Sequence, residues 1–397
     1  MVYKIADNIY SPLGVTTAEN YAAVRAGRSM LRSYPAETLG LPQPFMASLI
    51  EWGGVAPLAG YTRFERIVIE SVRRALAQTA VDVRSPRLLF ILATTKGNVE
   101  LLEHNVLATQ GNEELVLTSA DRMLPGVAAQ MVADYFGFVN MPLVVSNACI
   151  SGLSAQLTAQ RLLESEAYDV AVVCGADVLS RFVVSGFGSL MALSPTACRP
   201  FDMERTGLNL GEAAATIIYK RGERREVSRE KQEVSGESAV WQMVRGAVRN
   251  DAYHISSPSP KGEGCYRAIS AAIGDMTASE LAFVSAHGTA TMYNDEMESA
   301  AIDRAGLASV TVNSLKGYFG HTMGAAGVLE TVLSMAAVDD GCILGTRGFE
   351  ELGVSHTINV TAGHQATTKR TFLKLMSGFG GCNAAAVFKK TGGNDDC

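Results

Sequence analysis

Apolar runs closed by turn residues recur along this chain at short intervals, and that alternation limits the fold more than any other feature. LLFILATT ends at Thr95, PLVVSNAC at Cys149, DVAVVCGAD at Asp177 and AATIIYK at Lys220. Each has the length of a buried strand. Between them lie segments with apolar residues three and four apart, at 124–136 and 152–165, which is helical spacing. Strands alternating with helices predict an α/β fold with a mostly parallel sheet covered by helices. The theme returns with LAFVSAHGT (281–289), a helix at 324–340, and then TFLKLMSGFGG and AAAVFKK, so two comparable halves are expected. Between the halves, residues 220–238 are charged and read as a solvated connection, and the final TGGNDDC reads as a frayed tail.

Composition excludes several classes. A net charge of −6 argues against general nucleic-acid binding, which needs a surplus of Lys and Arg. The N-terminus lacks a basic segment followed by an apolar run, so no signal peptide is read and the cytosol is the expected compartment. The longest apolar region, Val170 to Leu193, is broken by Asp177 and Arg181, so no membrane span is expected. Seven scattered Cys without a CxxC pair support neither a disulfide framework nor a zinc site, and no GxGxxG turn follows a strand. Neither a metal nor a bound nicotinamide is implied.

One cysteine has a suggestive neighbourhood. Cys149 stands where a strand stops and a helix near Ser151 begins, and the first-turn N–H groups there favour a thiolate and can hold an oxyanion. A lone Cys at a strand end is ordinary. Two further turns supply it with partners: His287 in SAHGTAT, and Lys316 with His321 in NSLKGYFGHTMGAAG. A thiol, two imidazoles and an ammonium at strand ends form a candidate nucleophilic site.

These segments, together with SPLG (11–14), NACISG, CRPFDMERTGLNLGEAAA (198–215), Asp295 with Glu298, and SGFGGCNAAAVF (377–388), resemble the β-ketoacyl-carrier-protein synthases of the thiolase superfamily over nearly the whole length. The resemblance implies a thiolase-like fold of two duplicated α/β halves in five layers, α-β-α-β-α. Residues 1–230 would carry the nucleophile and 231–397 the two His and the Lys, as one integrated unit. Cys149 would take an acyl group from the phosphopantetheine of an acyl carrier protein, with the N–H groups of Cys149 and Phe379 as oxyanion hole. His287 and His321 would hold a malonyl thioester and promote its decarboxylation. Lys316 would pair with Glu330 and bias both imidazoles toward neutrality. Phe379, Gly380 and Gly381 would form a gating loop, Thr289 and Thr291 would meet the pantetheine arm, and Arg205 would contact the acidic carrier. No cofactor would be resident. A dimer is expected, with itself or with a synthase-like subunit.

Three departures stand out. The opening MVYKIADNIYSPLG predicts a first strand shorter or differently packed than the family's; Thr206, Gly207 and Leu208, then Gly211, Glu212 and Ala213, differ from the common pattern; and Cys382 places a second thiol beside the Gly-rich loop, read as a spectator. A chain-length-factor-like partner lacking activity is the main alternative, opposed by Cys149, both His and Lys316. A biosynthetic thiolase is opposed by the lack of a C-terminal Cys-x-Gly turn.

Overall fold

The computed structural model describes residues 1–52, 58–103, 121–235 and 239–392. Residues 393–397, the end of the expected tail, lie outside them.

Eleven strands form the large sheet: β1 (Val2–Tyr10), β2 (Leu88–Ala93), β3 (Leu143–Val145), β4 (Val170–Asp177), β5 (Ala213–Arg221), β6 (Val240–Asn250), β7 (Phe283–Ser285), β8 (Thr311–Asn313), β9 (Asn359–Val360), β10 (Thr371–Gly378) and β11 (Cys382–Thr391). Their spatial order is β9-β8-β7-β10-β11-β6-β1-β5-β4-β2-β3. The expectation of a mostly parallel sheet needs correction. Parallel pairing holds only in the blocks β4-β2-β3 and β10-β7-β8-β9, while β11, β6, β1 and β5 join them antiparallel. An apolar run records burial on both faces and says nothing of strand direction.

Helices supply the layers. The principal ones are α1 (Thr17–Arg25), α2 (Arg63–Leu76), α3 (Pro125–Phe136), α4 (Ser151–Glu164), α5 (Arg181–Ser189), α6 (Arg224–Ser235), α7 (Glu263–Ile273), α8 (Met292–Arg304), the single turn α9 (Lys316–Phe319) and α10 (Ala326–Asp339). α2 and α3 cover the N-terminal strands and α7 and α8 the C-terminal ones, while α4 and α10 pack on each other between them. The five layers follow. The largest apolar cluster fills the middle, with Leu153, Leu157, Val328, Leu329 and Val332 packed against both sets of strands. Among the described residues, no helix is long and apolar enough to cross a membrane.

Two local expectations change. β1 is a full nine-residue strand at the sheet's centre, because the polar residues that obscured it find partners: Lys4 Nζ meets Asp7 Oδ2 at 2.6 Å and Asn8 Nδ2 donates to Val15 O at 3.1 Å. The charged 220–238 segment contains a helix, α6, anchored by Val227 in a small cluster with Tyr3 and Val240. Two valines in that stretch, Val227 and Val234, are too few to show a period. The boundary between 230 and 231 falls inside α6.

Glycine sets how closely the middle layer meets the first sheet. A Cβ on Gly152 would lie 2.7 Å from Gly324 O, and one on Gly175 would lie 2.6 Å from the same oxygen. The start of α4, the strand β4 and the loop after His321 therefore touch backbone to backbone.

Candidate active site

β3 ends at Val145, four residues short of the cysteine, and the chain turns sharply before α4. Ala148 takes φ +43°, a conformation that costs a residue with a Cβ, and Ser151 Oγ holds the turn by donating to Ala148 O at 2.6 Å. This elbow carries Cys149, which is 7% exposed.

The second element is the turn after β7. LAFVSAHGT is strand only through Ser285, because two buried carboxylates replace the sheet as acceptors. Glu298 accepts from the N–H groups of His287 and Gly288 at 2.6 and 2.7 Å, and Asp295 from Thr289 and Ala290 at 2.9 and 3.0 Å. Burial raises Asp295 above the usual carboxylate range and pushes Glu298 up to about 7. α8 thus holds His287 from behind.

The third element is the loop after α9, held where Gly211 N–H donates to His321 O at 3.1 Å and His321 N–H to Asn209 O at 2.7 Å. The Met323 N–H donates to His321 Nδ1 at 3.3 Å, so the ring proton belongs on Nε2, which is buried without a partner. His287 Nδ1 is likewise buried without a partner. The imidazole centroids stand 5.0 Å apart at 80°, and Cys149 Sγ with one nitrogen of each ring lies within a 4.8 Å span.

Behind the rings sits a buried ionic cluster. Lys316 Nζ donates to His287 O at 2.6 Å and to Glu330 Oε1 at 2.8 Å, and Lys374 Nζ meets Glu330 Oε2 at 2.5 Å. Burial would raise Glu330, but the two ammonium groups outweigh it and hold the carboxyl below its usual range. Both imidazoles sit well below the ordinary histidine value, first because burial disfavours the charged form and second because Lys316 repels a proton. Their neutrality therefore comes mostly from burial. A thiol and two imidazoles have spacing that suits a thiophilic cation. Lys316, Lys374 and Lys96 all bear on these groups, however, and their field opposes a divalent ion and favours an anion.

The thiol itself differs from expectation. Burial pushes Cys149 up to about 11, although Lys316, Lys96 and the Phe379 N–H that donates to it act the other way. The resting pair is thus a thiol beside neutral imidazoles, despite the helix N-terminus. The rate of Cys149 alkylation by iodoacetamide is expected to climb roughly tenfold per pH unit from pH 7 to pH 9. A plateau reached by pH 7 would indicate a resting thiolate instead.

These groups line a cavity of about 380 Å³, with Thr289, Thr291 and Phe379 along its wall. The Thr289 and Thr291 hydroxyls are 2.8 Å apart. Phe379 stacks obliquely on Phe187, with centroids 5.8 Å apart, and is followed by Gly380 and Gly381 at φ +82° and +72°. Gly380 N–H donates to Ile255 O at 2.7 Å. Leu208, one of the departures, also lines the cavity. Cys382 is half-buried, 3.4 Å from Asn250 Nδ2, and is not among the described residues lining it.

Arg205 requires correction. It is 5% exposed, with Nη1 donating to the carbonyls of Asp202 and Gly353 at 3.0 and 2.5 Å. It braces the 198–215 loop beneath Asp295 and offers no surface to a carrier protein. Lys374 escaped the sequence reading; its only signal is a cation interrupting the apolar run TFLKLM.

Comparison with known proteins agrees with this geometry. The chain is 29% identical to the tetracenomycin polyketide synthase ketoacyl synthase alpha subunit of Streptomyces glaucescens, over 96% of this chain and 95% of the relative. It is 27% identical to 3-oxoacyl-[acyl-carrier-protein] synthase 2 of Staphylococcus aureus (strain COL), over 83% and 82%. The solved ishigamide ketosynthase/chain length factor superposes with TM-score 0.84 at 26% identity, covering 98% of this chain and 99% of that one. The N-terminal domain of the β-ketoacyl synthases matches residues 5–225 and the C-terminal domain matches 242–350, so this chain belongs to the β-ketoacyl synthase family.

Proposed function

We propose that the chain catalyses decarboxylative Claisen condensation of a Cys149-bound acyl group with malonyl-acyl carrier protein, giving a 3-oxoacyl-carrier protein in fatty-acid or polyketide-type assembly. The observation that carries this is a thiol facing two neutral imidazoles, with Cys149 Sγ and one nitrogen of each ring inside a 4.8 Å span at one cavity.

In the first half-reaction Cys149 Sγ attacks the acyl thioester on the carrier's phosphopantetheine, and its proton passes to the departing pantetheine sulfur. The N–H groups of Cys149 and Phe379 hold the tetrahedral oxyanion until the pantetheine thiol leaves. Thr289 and Thr291 line the approach of the arm, and Phe379 on its glycine hinge gates the acyl pocket. In the second, His321 Nε2–H and His287 hydrogen-bond the malonyl thioester carbonyl. The C–C bond to the carboxylate breaks, carbon dioxide leaves, and its electron pair becomes the enolate. The enolate carbon attacks the Cys149 acyl carbonyl and expels the Cys149 thiolate.

The proposed partners are an acyl carrier protein, which supplies phosphopantetheine, and a second synthase subunit, identical or related, with the cytosol as compartment. The ketosynthase/chain length factor pair among the solved relatives supports a related subunit. Incubation with acyl- and malonyl-loaded carrier proteins is expected to give a product two carbons longer and one carbon dioxide per turnover. Folded protein that yields neither, alone or with a synthase-like partner, would overturn the proposal.

A further inference from the structure

Strand β10 carries a charge that the steps above do not use. Lys374 stands opposite Ser285 in the parallel register with β7, and its side chain is fully buried. Nζ donates to Ser285 O at 3.2 Å, Ser285 Oγ at 3.3 Å, Ala286 O at 3.2 Å and Glu330 Oε2 at 2.5 Å. Lys316 takes the other Glu330 oxygen and the next carbonyl, that of His287. Two ammonium groups thus hold three consecutive carbonyls leading into the first catalytic imidazole, and share one carboxylate. An ammonium without its own counter-ion is expensive to bury, by several kcal/mol even after relaxation. Lys316 and Glu330 alone would already form a neutral pair, so Lys374 leaves the cluster with an excess positive charge.

We propose that Lys374 is a positioning residue for condensation, keeping the Lys316–Glu330–Lys374 cluster cationic behind His287 and His321, where it adds to burial in holding both rings as neutral donors and stabilises the enolate before them. This rests on the condensing function proposed above. The charges facing each ring agree with it. His287 meets Lys316, Lys374 and His321, with Glu298 bonded to its backbone N–H and Cys149 in front. His321 meets Lys316, Lys374 and Lys96, with Asp177 3.4 Å from Lys96 and bonded to Gly324 N–H. After burial, Lys316 and the other cations depress both rings.

The test compares wild type, Lys374→Met and the double variant Lys374→Met/Glu330→Gln, reading the pH profile of malonyl decarboxylation together with NMR titration of the His rings. Removing the positive charge raises the pH at which the imidazoles protonate. Lys374→Met should therefore lose about tenfold to a hundredfold in kcat at pH 7 with KM for malonyl-carrier protein nearly unchanged, and its acid limb should move to higher pH. The double variant leaves Lys316 as the only charge in the cluster and should bring the acid limb back toward wild type. A merely structural lysine predicts lost activity without displacement of that limb, and a double variant no better than the single. That result would overturn the proposal. Wild-type titration keeps the test open if Lys374→Met fails to fold: both rings must remain neutral well below the ordinary histidine value of about 6.5, and protonation near that value would contradict it. A wild type that does not condense refutes the function proposed above, whereas one that condenses with unmoved rings in Lys374→Met refutes only the role of the lysine.

Discussion

Cys149→Ala is expected to reduce elongation by at least ~10⁴-fold, the scale on which enzymes lose rate when a covalent nucleophile is removed. No other described thiol can replace it. Cys174, Cys198, Cys265 and Cys342 are buried, and burial raises each above the ordinary thiol value, while Cys382 is not among the cavity-lining residues. Decarboxylation of malonyl-carrier protein should persist in this variant, because the imidazoles and the lysine cluster are untouched. Release of carbon dioxide from carboxyl-labelled malonyl-carrier protein, followed beside product formation, separates the two activities. Elongation above about one per cent of wild type would mean that another group carries the acyl chain.

His321→Ala is expected to lose roughly 10²- to 10³-fold in malonyl decarboxylation, the usual cost of deleting one preorganised oxyanion donor. The Met323 N–H fixes the donor on Nε2, and the Gly211 and Asn209 backbone bonds fix the loop, so water in the space left by the ring would meet no comparable orientation. Acyl transfer onto Cys149 should change far less, since its oxyanion is held by the Cys149 and Phe379 N–H groups. Single-turnover measurement of each half-reaction checks this. Equal losses in both would show that His321 also serves acyl transfer.

Much of the site was legible because its residues sit in short turns that close apolar strands. Cys149, His287, Lys316 and His321 all come from such turns; the structure brings Cys149 and both His to one cavity and sets Lys316 behind the rings, paired with Glu330 at 2.8 Å. What the sequence hid has physical causes. Strand direction leaves no mark on hydrophobic periodicity, so the antiparallel centre of the sheet was missed. Lys374 reads as a break in an apolar strand until β7 and α10 supply its four acceptors. Arg205 reads as a surface cation until Gly353, 148 residues away, closes over it. The helix start promised a thiolate, but burial dominates at Cys149.

The most direct measurement is the intact and peptide mass of the wild-type protein after incubation with acyl-carrier protein and then with malonyl-carrier protein. The expected result is one acyl group on the peptide containing Cys149, discharged on addition of malonyl-carrier protein as a chain two carbons longer is released. An acyl group on any other residue, or one that remains on Cys149 when malonyl-carrier protein is decarboxylated, would contradict condensation at this thiol.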